Sequence, residues 1–163
     1  MGGQRDLFQG YALQAIDRKG RVAIPASLRA AIENNSNERL LLIGDHESQP
    51  CMIGYDRGWS RLLYERLERD LERARERGDD VDRSDVALHH FANVDEVPFD
   101  ESGRFILPPF VREKAGLDDL AFFAGNADTF HIWNPHTLLK ADGVRPGTRE
   151  RCEWLLKQRG ASA

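Results

Sequence analysis

The chain has 163 residues, of which 40% are hydrophobic and 31% charged, as is typical of a globular protein with one continuous core. No apolar run approaches the roughly 20 residues of a membrane span, and the first nine residues lack the apolar region of a secretory signal, so we expect a cytoplasmic protein. The net charge of −4 neither supports nor excludes nucleic-acid binding, and the two cysteines, Cys51 and Cys152, lack the spacing of metal ligands.

The chain opens with two short strands that are predicted to form a hairpin. Apolar residues alternate over residues 11–16, and a second strand follows over residues 21–24. Between them, Asp17 can accept hydrogen bonds from turn amides, and Gly20 tolerates a positive φ, so the pair specifies a tight turn. Pro25 suits the first position of a helix that runs to about Glu33.

Further along, the pattern predicts a second strand pair and then helices. The strands cover residues 40–43 and 51–55, and apolar residues at helical spacing from Trp59 predict a long amphipathic helix to about Arg77. Residues 78–82 form a linker, and a short helix is predicted around residues 84–91. A last helix begins at Pro146 and carries an apolar stripe of Cys152, Leu155 and Leu156.

The second half of the chain repeats the first at an offset of 83 residues. Residues 17–25 align with residues 100–108, so that the Asp-x-x-Gly-Arg turn occurs twice and a proline follows each copy. A helix after Pro108-Pro109, with Gly116 at its C-cap, and strands over residues 120–124 and 129–133 complete this half. Two related halves of one α+β fold explain the repeat better than a solenoid, which needs more and shorter copies.

These motifs resemble the MraZ family of bacterial regulators over about residues 7 to 141. The first copy of the signature, the second copy, the intervening helices and the Ile132-Trp133 strand end are all similar to that family. The first copy reads Phe8-x-Gly10-Tyr11, Ile16-Asp17-x-Lys19-Gly20-Arg21, Ile24-Pro25 and Arg29, and the second reads Asp100-x-x-Gly103-Arg104, Leu107-Pro108-Pro109.

The resemblance implies a fold and a function. The fold is a duplicated swapped-hairpin β-barrel of the AbrB class with flanking α-helices, whose halves interlock about a pseudo-two-fold axis within one chain. We expect a first half with its helix (7–77), a second half (84–142) and a helical tail (143–163) that lies outside the resemblance. Members of the family form rings, bind short repeated G-rich boxes in double-stranded DNA upstream of the division and cell-wall gene cluster, and usually repress it.

The expected DNA contacts lie at the hairpin tips, because a two-stranded ribbon fits the major groove. We expect Arg21 to read guanine or bind phosphate, with Arg18, Lys19 and the Gly20 backbone at the same tip. The second tip offers Glu101, Ser102 and Arg104, so it is less basic, and Arg104 is either a DNA contact or a partner of Asp100. The residues expected to shape the turns are Asp17, Asp100 and Gly103.

Other residues leave alternatives open or argue against other functions. Arg29 and Arg112 on the predicted helices suit intramolecular ion pairs and DNA contacts equally well. The histidines are not grouped with cysteines or carboxylates at the spacing of metal ligands, so we expect no metal site. No nucleophile motif or phosphate-binding glycine loop occurs, so we expect neither catalysis nor a cofactor or small-molecule substrate. The alternative functions are an AbrB-class antitoxin-like module that binds a protein partner and a hydrolase with an unrecognised site.

Overall fold

The computed structural model describes residues 4–160, which form eight strands and six α-helices, with one π-helical turn at Leu88–Ala92. The strands are β1 (Tyr11–Ala15), β2 (Arg21–Ala23), β3 (Leu40–Asp45), β4 (Met52–Tyr55), β5 (Val94–Pro98), β6 (Arg104–Ile106), β7 (Leu120–Asn126) and β8 (Thr129–Trp133). The helices are α1 (Ala26–Ser36), α2 (Arg57–Glu76), α3 (Arg83–Ala87), α4 (Pro109–Lys114), α5 (Pro135–Lys140) and α6 (Pro146–Gln158).

Six strands form one antiparallel sheet in the order β1-β7-β8-β4-β3-β5, while β2 and β6 form a separate two-stranded ribbon. The edge strands are exchanged between the sequence repeats. Strand β1 of the first half pairs with β7 of the second, and β5 of the second half pairs with β3 of the first. Each half therefore depends on the other for the hydrogen bonds of its first strand.

Both faces of the sheet are covered by other elements. Because successive residues of a strand point to opposite faces, each strand contributes side chains to the packing on both sides. Leu41 and Ile43 of β3 join the main core with α1, α4 and the inner side of the ribbon, whereas Leu42 packs on the other side with Tyr55 of β4 and Trp59 of α2. Strand β7 contributes to both sides in the same way, with Phe123 in the main core and Phe122 on the opposite side. On the second side, α5 and α6 cover the sheet through Leu13, Phe122, Trp133, Leu138, Cys152 and Leu156.

The long helix α2 is anchored at its N-terminus by a buried carboxylate. Asp56 is the N-cap residue, and its Oδ2 accepts a hydrogen bond of 3.1 Å from the Trp59 amide. The side chain of Asp56 is inaccessible to solvent and is paired with Arg5 at 2.8 Å. The guanidinium of Arg5 also lies over the Trp59 ring, with Cζ 5.8 Å from the centroid. A charge that would otherwise be costly to bury is thus satisfied.

The predicted elements agree with the structure, with small differences at their ends. Helix α1 begins at Ala26, so Pro25 is its N-cap residue and not its first helical residue. Only the first part of the helix predicted at residues 84–91 is α-helical, because the π-helical turn begins at Leu88. Strand β5 and helix α5 were not predicted. In residues 4–160, no helix has the length and hydrophobicity needed to cross a membrane.

Candidate nucleic-acid interface

The first Asp-x-x-Gly-Arg turn is organised by a single carboxylate. Oδ1 of Asp17 accepts hydrogen bonds of 2.9 Å from the amides of Lys19 and Arg21, and Oδ2 accepts one of 2.7 Å from Nε of Arg21. Gly20 has a φ of +81°, a region that strongly favours glycine. One carboxylate therefore accepts from two turn amides and also fixes the Arg21 side chain.

The second turn repeats this arrangement. Oδ1 of Asp100 accepts from the amides of Ser102 and Arg104 at 2.9 Å, and Oδ2 accepts from Nε of Arg104 at 3.0 Å. Gly103 has a φ of +80°. The expected pairing of Arg104 with Asp100 is thus present, but Arg21 makes the same pair with Asp17. The two turns share one geometry and differ in charge.

Pairing of β2 with β6 brings both turns onto one surface. Arg21 lies opposite Ile106, and Ala23 lies opposite Arg104, so these four residues occupy one face of the ribbon. The opposite face consists of Val22 and Phe105, both buried in the main core. The ribbon therefore presents an arginine near each end of one outer face, an arrangement that the sequence did not predict.

The ends of the ribbon are also held by crossed contacts between the halves. The Leu107 amide donates to the Gly20 carbonyl, and the Ile24 amide donates to the Gly103 carbonyl, both at 2.9 Å. Each turn is therefore hydrogen-bonded to the strand that leaves the other turn. This arrangement gives the two tips a fixed relation to one another.

The two helix arginines lie behind the tips of the opposite halves. Arg112 of α4 lies next to Gly20 and donates to the carbonyls of Leu117, at 3.2 Å, and Asp118, at 2.9 Å. Arg29 of α1 lies against Gly103, where its Nη1 is 3.0 Å from the position of a Cβ built on that glycine. The observed hydrogen-bond partners of Arg112 are thus carbonyls of its own chain.

In both turns the pKa of the aspartate is lowered and the paired arginine side chain is exposed to solvent. Hydrogen bonds from the backbone amide and then the side chain of Arg21 lower the pKa of Asp17 below its usual value. The pKa of Asp100 is lowered mainly by the Arg104 amide. The side chain of Arg21 is 50% exposed and that of Arg104 is 61% exposed, so their terminal nitrogens remain accessible. Such a fork matches guanine edges and phosphates.

Charge distinguishes the two ends of the ribbon. The first turn carries three cations, Arg18, Lys19 and Arg21, against one carboxylate. The second turn carries one cation against two carboxylates, those of Asp100 and Glu101. A polyanion would therefore be attracted mainly to the first end of this face.

A second cluster of polar residues lies away from the ribbon. His46 follows β3, Cys51 precedes β4, and His131 lies on the neighbouring strand β8. One potential ligand atom from each lies within 4.8 Å of the others. His46 is five positions from Cys51 in the sequence, whereas His131 is 80 positions from Cys51 and joins them only through the pairing of β4 with β8.

Comparison with known proteins gives a consistent result. The model of the MraZ protein family, described as antitoxin-like, matches residues 7–82. A protein of Rhodospirillum rubrum named transcriptional regulator MraZ is 32% identical, with 85% of this chain and 86% of the relative aligned. Proteins of the same name from Gluconobacter oxydans and a Ruegeria species are 31% and 33% identical. Those alignments cover 94% and 80% of this chain and 89% and 78% of the relatives.

Proposed function

The chain belongs to the MraZ family, and from that premise we propose that it is a transcriptional regulator that binds DNA through the outer face of the β2–β6 ribbon. The observation that carries the proposal is the position of the two arginines. Arg21 and Arg104 extend from one face of a two-stranded antiparallel ribbon, and each is oriented by an aspartate through Nε. A ribbon of this kind fits the major groove, where arginine recognises guanine.

The first end of the ribbon supplies most of the attraction for DNA. Its cations, Arg18, Lys19 and Arg21, lie within four consecutive positions, and the Gly20 backbone lets the tip approach closely. Arg104 makes a weaker contact, because Glu101 stands where the first tip has Arg18. Arg29 and Arg112 lie behind the tips and serve as secondary phosphate contacts.

The fold that goes with this function is a duplicated swapped-hairpin barrel of the AbrB class with a pseudo-two-fold axis. Support comes from the exchanged pairs β1–β7 and β3–β5 and from the matched turns of the ribbon. We assign residues 7–77 and 84–142 to the two halves and residues 143–163 to a tail whose helix α6 packs on the sheet, with residues 161–163 outside the described part of the chain.

Binding by one chain is too weak for specific regulation, so the chain acts as a homo-oligomeric ring. Three cations neutralise at most about three phosphates, which corresponds to a salt slope of roughly −2.7 per subunit. Several tips that bind together raise the avidity by about 10²–10⁴. A ring of tips also matches short DNA boxes repeated at about one helical turn.

The proposed target is the promoter of the division and cell-wall gene cluster, which the ring represses in the cytoplasm at the nucleoid. The chain requires no catalysis, cofactor, small-molecule substrate or membrane contact for this action. Metal is likewise not part of DNA recognition in this scheme. Relatives that are named transcriptional regulators support a role in transcriptional regulation, and the choice of promoter rests on the resemblance to the family.

The second candidate, an antitoxin-like module, has support in the family description. Such a module needs a segment that is free to bind a protein partner. Helix α6 is not free, because Cys152 and Leu156 are buried against the sheet and Arg149 donates to the carbonyls of Leu139 and Ala141. The packing of α6 therefore favours the regulator.

The role of the first tip is tested by replacing Arg21 with alanine and measuring binding to the DNA upstream of the chain's own gene. We expect a loss of about 5- to 150-fold in affinity, since one bidentate contact contributes about 1–3 kcal/mol. Arg75→Ala on α2, where the side chain is 68% exposed, removes the same charge away from the ribbon and is the matched control. Equal affinities for the two variants would refute the assignment.

A further inference from the structure

The cluster of His46, Cys51 and His131 has the donor set of a transition-metal site. The potential ligand atoms of the three side chains lie within 4.8 Å of one another, and all three residues are at least partly buried. Thiolate and imidazole are the ligands that Zn²⁺ prefers in proteins. We propose that Cys51, His131 and His46 bind one Zn²⁺ ion per chain, at a site separate from the DNA-binding ribbon.

The distances are compatible with a small closure of the site. Zn²⁺ bonds of about 2.0–2.3 Å in a tetrahedron separate the ligand atoms by roughly 3.5 Å. Since no pair of ligand atoms is more than 4.8 Å apart, the side chains need to approach by at most about 1.3 Å. The three residues lie on elements that already pair, because β4 is hydrogen-bonded to β8 and Ile53 lies opposite His131.

Binding of the ion requires a neutral imidazole from each histidine and a thiolate from Cys51. Zn²⁺ displaces the thiol proton to solvent as the metal–sulfur bond forms, and the charge of the ion then stabilises the thiolate.

His46 is the ligand that must change most. Its Nδ1 accepts hydrogen bonds of 3.0 Å from the amides of Ser48 and Gln49, which places the ring proton on Nε2. Coordination through Nδ1 requires the ring to give up these two hydrogen bonds, and coordination through Nε2 requires that nitrogen to lose its proton. We therefore expect the loop of residues 46–51 to rearrange when the ion binds, and His46 to contribute less affinity than Cys51 and His131.

The surroundings provide support and an open coordination position. Asn126 Nδ2 lies 3.4 Å from Nε2 of His131 and can orient that ring. His46 and His131 both line a cavity of about 280 Å³ that is also bounded by Trp59 and His90. Three protein ligands leave the fourth position of the ion to a water molecule in this cavity.

The test is a titration of the tag-free full-length chain with Co²⁺, whose bond to a thiolate gives a near-ultraviolet charge-transfer band, followed by competition with Zn²⁺. We expect the band to saturate at one ion per chain and to disappear when Zn²⁺ displaces Co²⁺. Cys51→Ser should abolish the band, whereas Cys152→Ser, which changes the other buried cysteine, should retain it. His131→Gln should weaken binding at least ten-fold, and the control His136→Gln should not.

Folding of every variant is checked by circular dichroism, because Cys51 is buried. If Cys51→Ser does not fold, the His131→Gln and His136→Gln pair decides. Absence of the band from the wild-type chain would overturn the proposal, as would equal Co²⁺ affinity in the His131→Gln and His136→Gln variants. DNA binding is measured separately with the ribbon variants, so failure of the metal site leaves the proposed regulator intact.

Discussion

At the residue scale, one aspartate in each turn carries out two tasks. The carboxylates of Asp17 and Asp100 accept from two backbone amides and from the arginine four positions later. The amide contacts could be predicted from the turn motif, because aspartate and glycine at this spacing define a tight turn. The arginine contact could not, since it depends on the side-chain conformation of Arg21 and Arg104.

Acid should therefore weaken both turns, which predicts a pH dependence. The lowered pKa values of Asp17 and Asp100 mean that their contribution to stability is complete above the unfolded value of about 3.8. That contribution is lost as the pH falls through the folded-state values. The double variant Asp17→Asn/Asp100→Asn should be less stable than wild type at neutral pH and should lose less stability in acid.

The measurement is urea unfolding of the two proteins between neutral pH and about pH 2. Other carboxylates titrate in the same range, so the quantity of interest is the difference between the two curves. That difference should shrink as the pH falls. A constant difference would show that the carboxylate charges do not stabilise the turns.

At the element scale, the buried cap of α2 should contribute more than an exposed cap. Asp56→Ala removes an N-cap and leaves Arg5 without its partner, so we expect a loss of about 2–3 kcal/mol. The control is Asp82→Ala at the exposed N-cap of α3, for which about 1 kcal/mol or less is expected. Chemical denaturation measures both, and equal losses would contradict the role of the Arg5–Asp56 pair.

Close packing of β4 against β8 predicts that a side chain added at Gly54 destabilises the sheet. A Cβ on Gly54 would lie 2.6 Å from Cε2 of Phe130, whose ring is fully buried. Gly54→Ala should therefore destabilise the protein by about 1–3 kcal/mol through overpacking. Gly44→Ala is the matched control on β3, because the nearest atoms there are at 3.6 Å. Thermal unfolding should separate the two variants clearly, and similar midpoints would count against tight packing.

The elements that the sequence did not predict are short and weakly patterned. Strand β5 mixes two apolar residues with two acids and ends at Pro98, which a strand at the edge of a sheet tolerates. Helix α5 has only six residues, although Asn134 and Pro135 form a recognisable helix start. Longer elements such as α2 were predicted because their periodicity extends over several turns.

At the scale of the whole molecule, the sequence repeat predicted two related halves, and the resemblance implied that they interlock. Periodicity alone could not show which strands pair, because β1 and β7 are more than 100 positions apart. The same long-range pairing places Arg104 beside the first half and His131 beside Cys51. Thus the turn residues of the candidate DNA interface could be predicted, whereas the shared ribbon face and the cysteine–histidine cluster required the fold.

Exchange of edge strands predicts that neither half folds alone as a monomer. A fragment of residues 1–80 keeps the β3–β4 pair but lacks β7, with which β1 pairs, and β5, which is the second partner of β3. We expect circular dichroism to show that this fragment is unfolded. Any folded material should be a dimer in which each copy provides pairing strands for the other. A folded monomer in sedimentation analysis would contradict the interdependence of the halves.

The central claim is that the ribbon tips bind DNA electrostatically, and the salt dependence of affinity tests it most directly. The measurement compares the wild-type chain, Arg18→Ala/Lys19→Ala and the control Arg73→Ala/Arg75→Ala on the upstream DNA over a series of salt concentrations. We expect the first variant to reduce the slope of log K against log salt by roughly 1.8 per bound subunit, with the control unchanged. A slope unaffected by loss of Arg18 and Lys19 would contradict DNA binding at this tip.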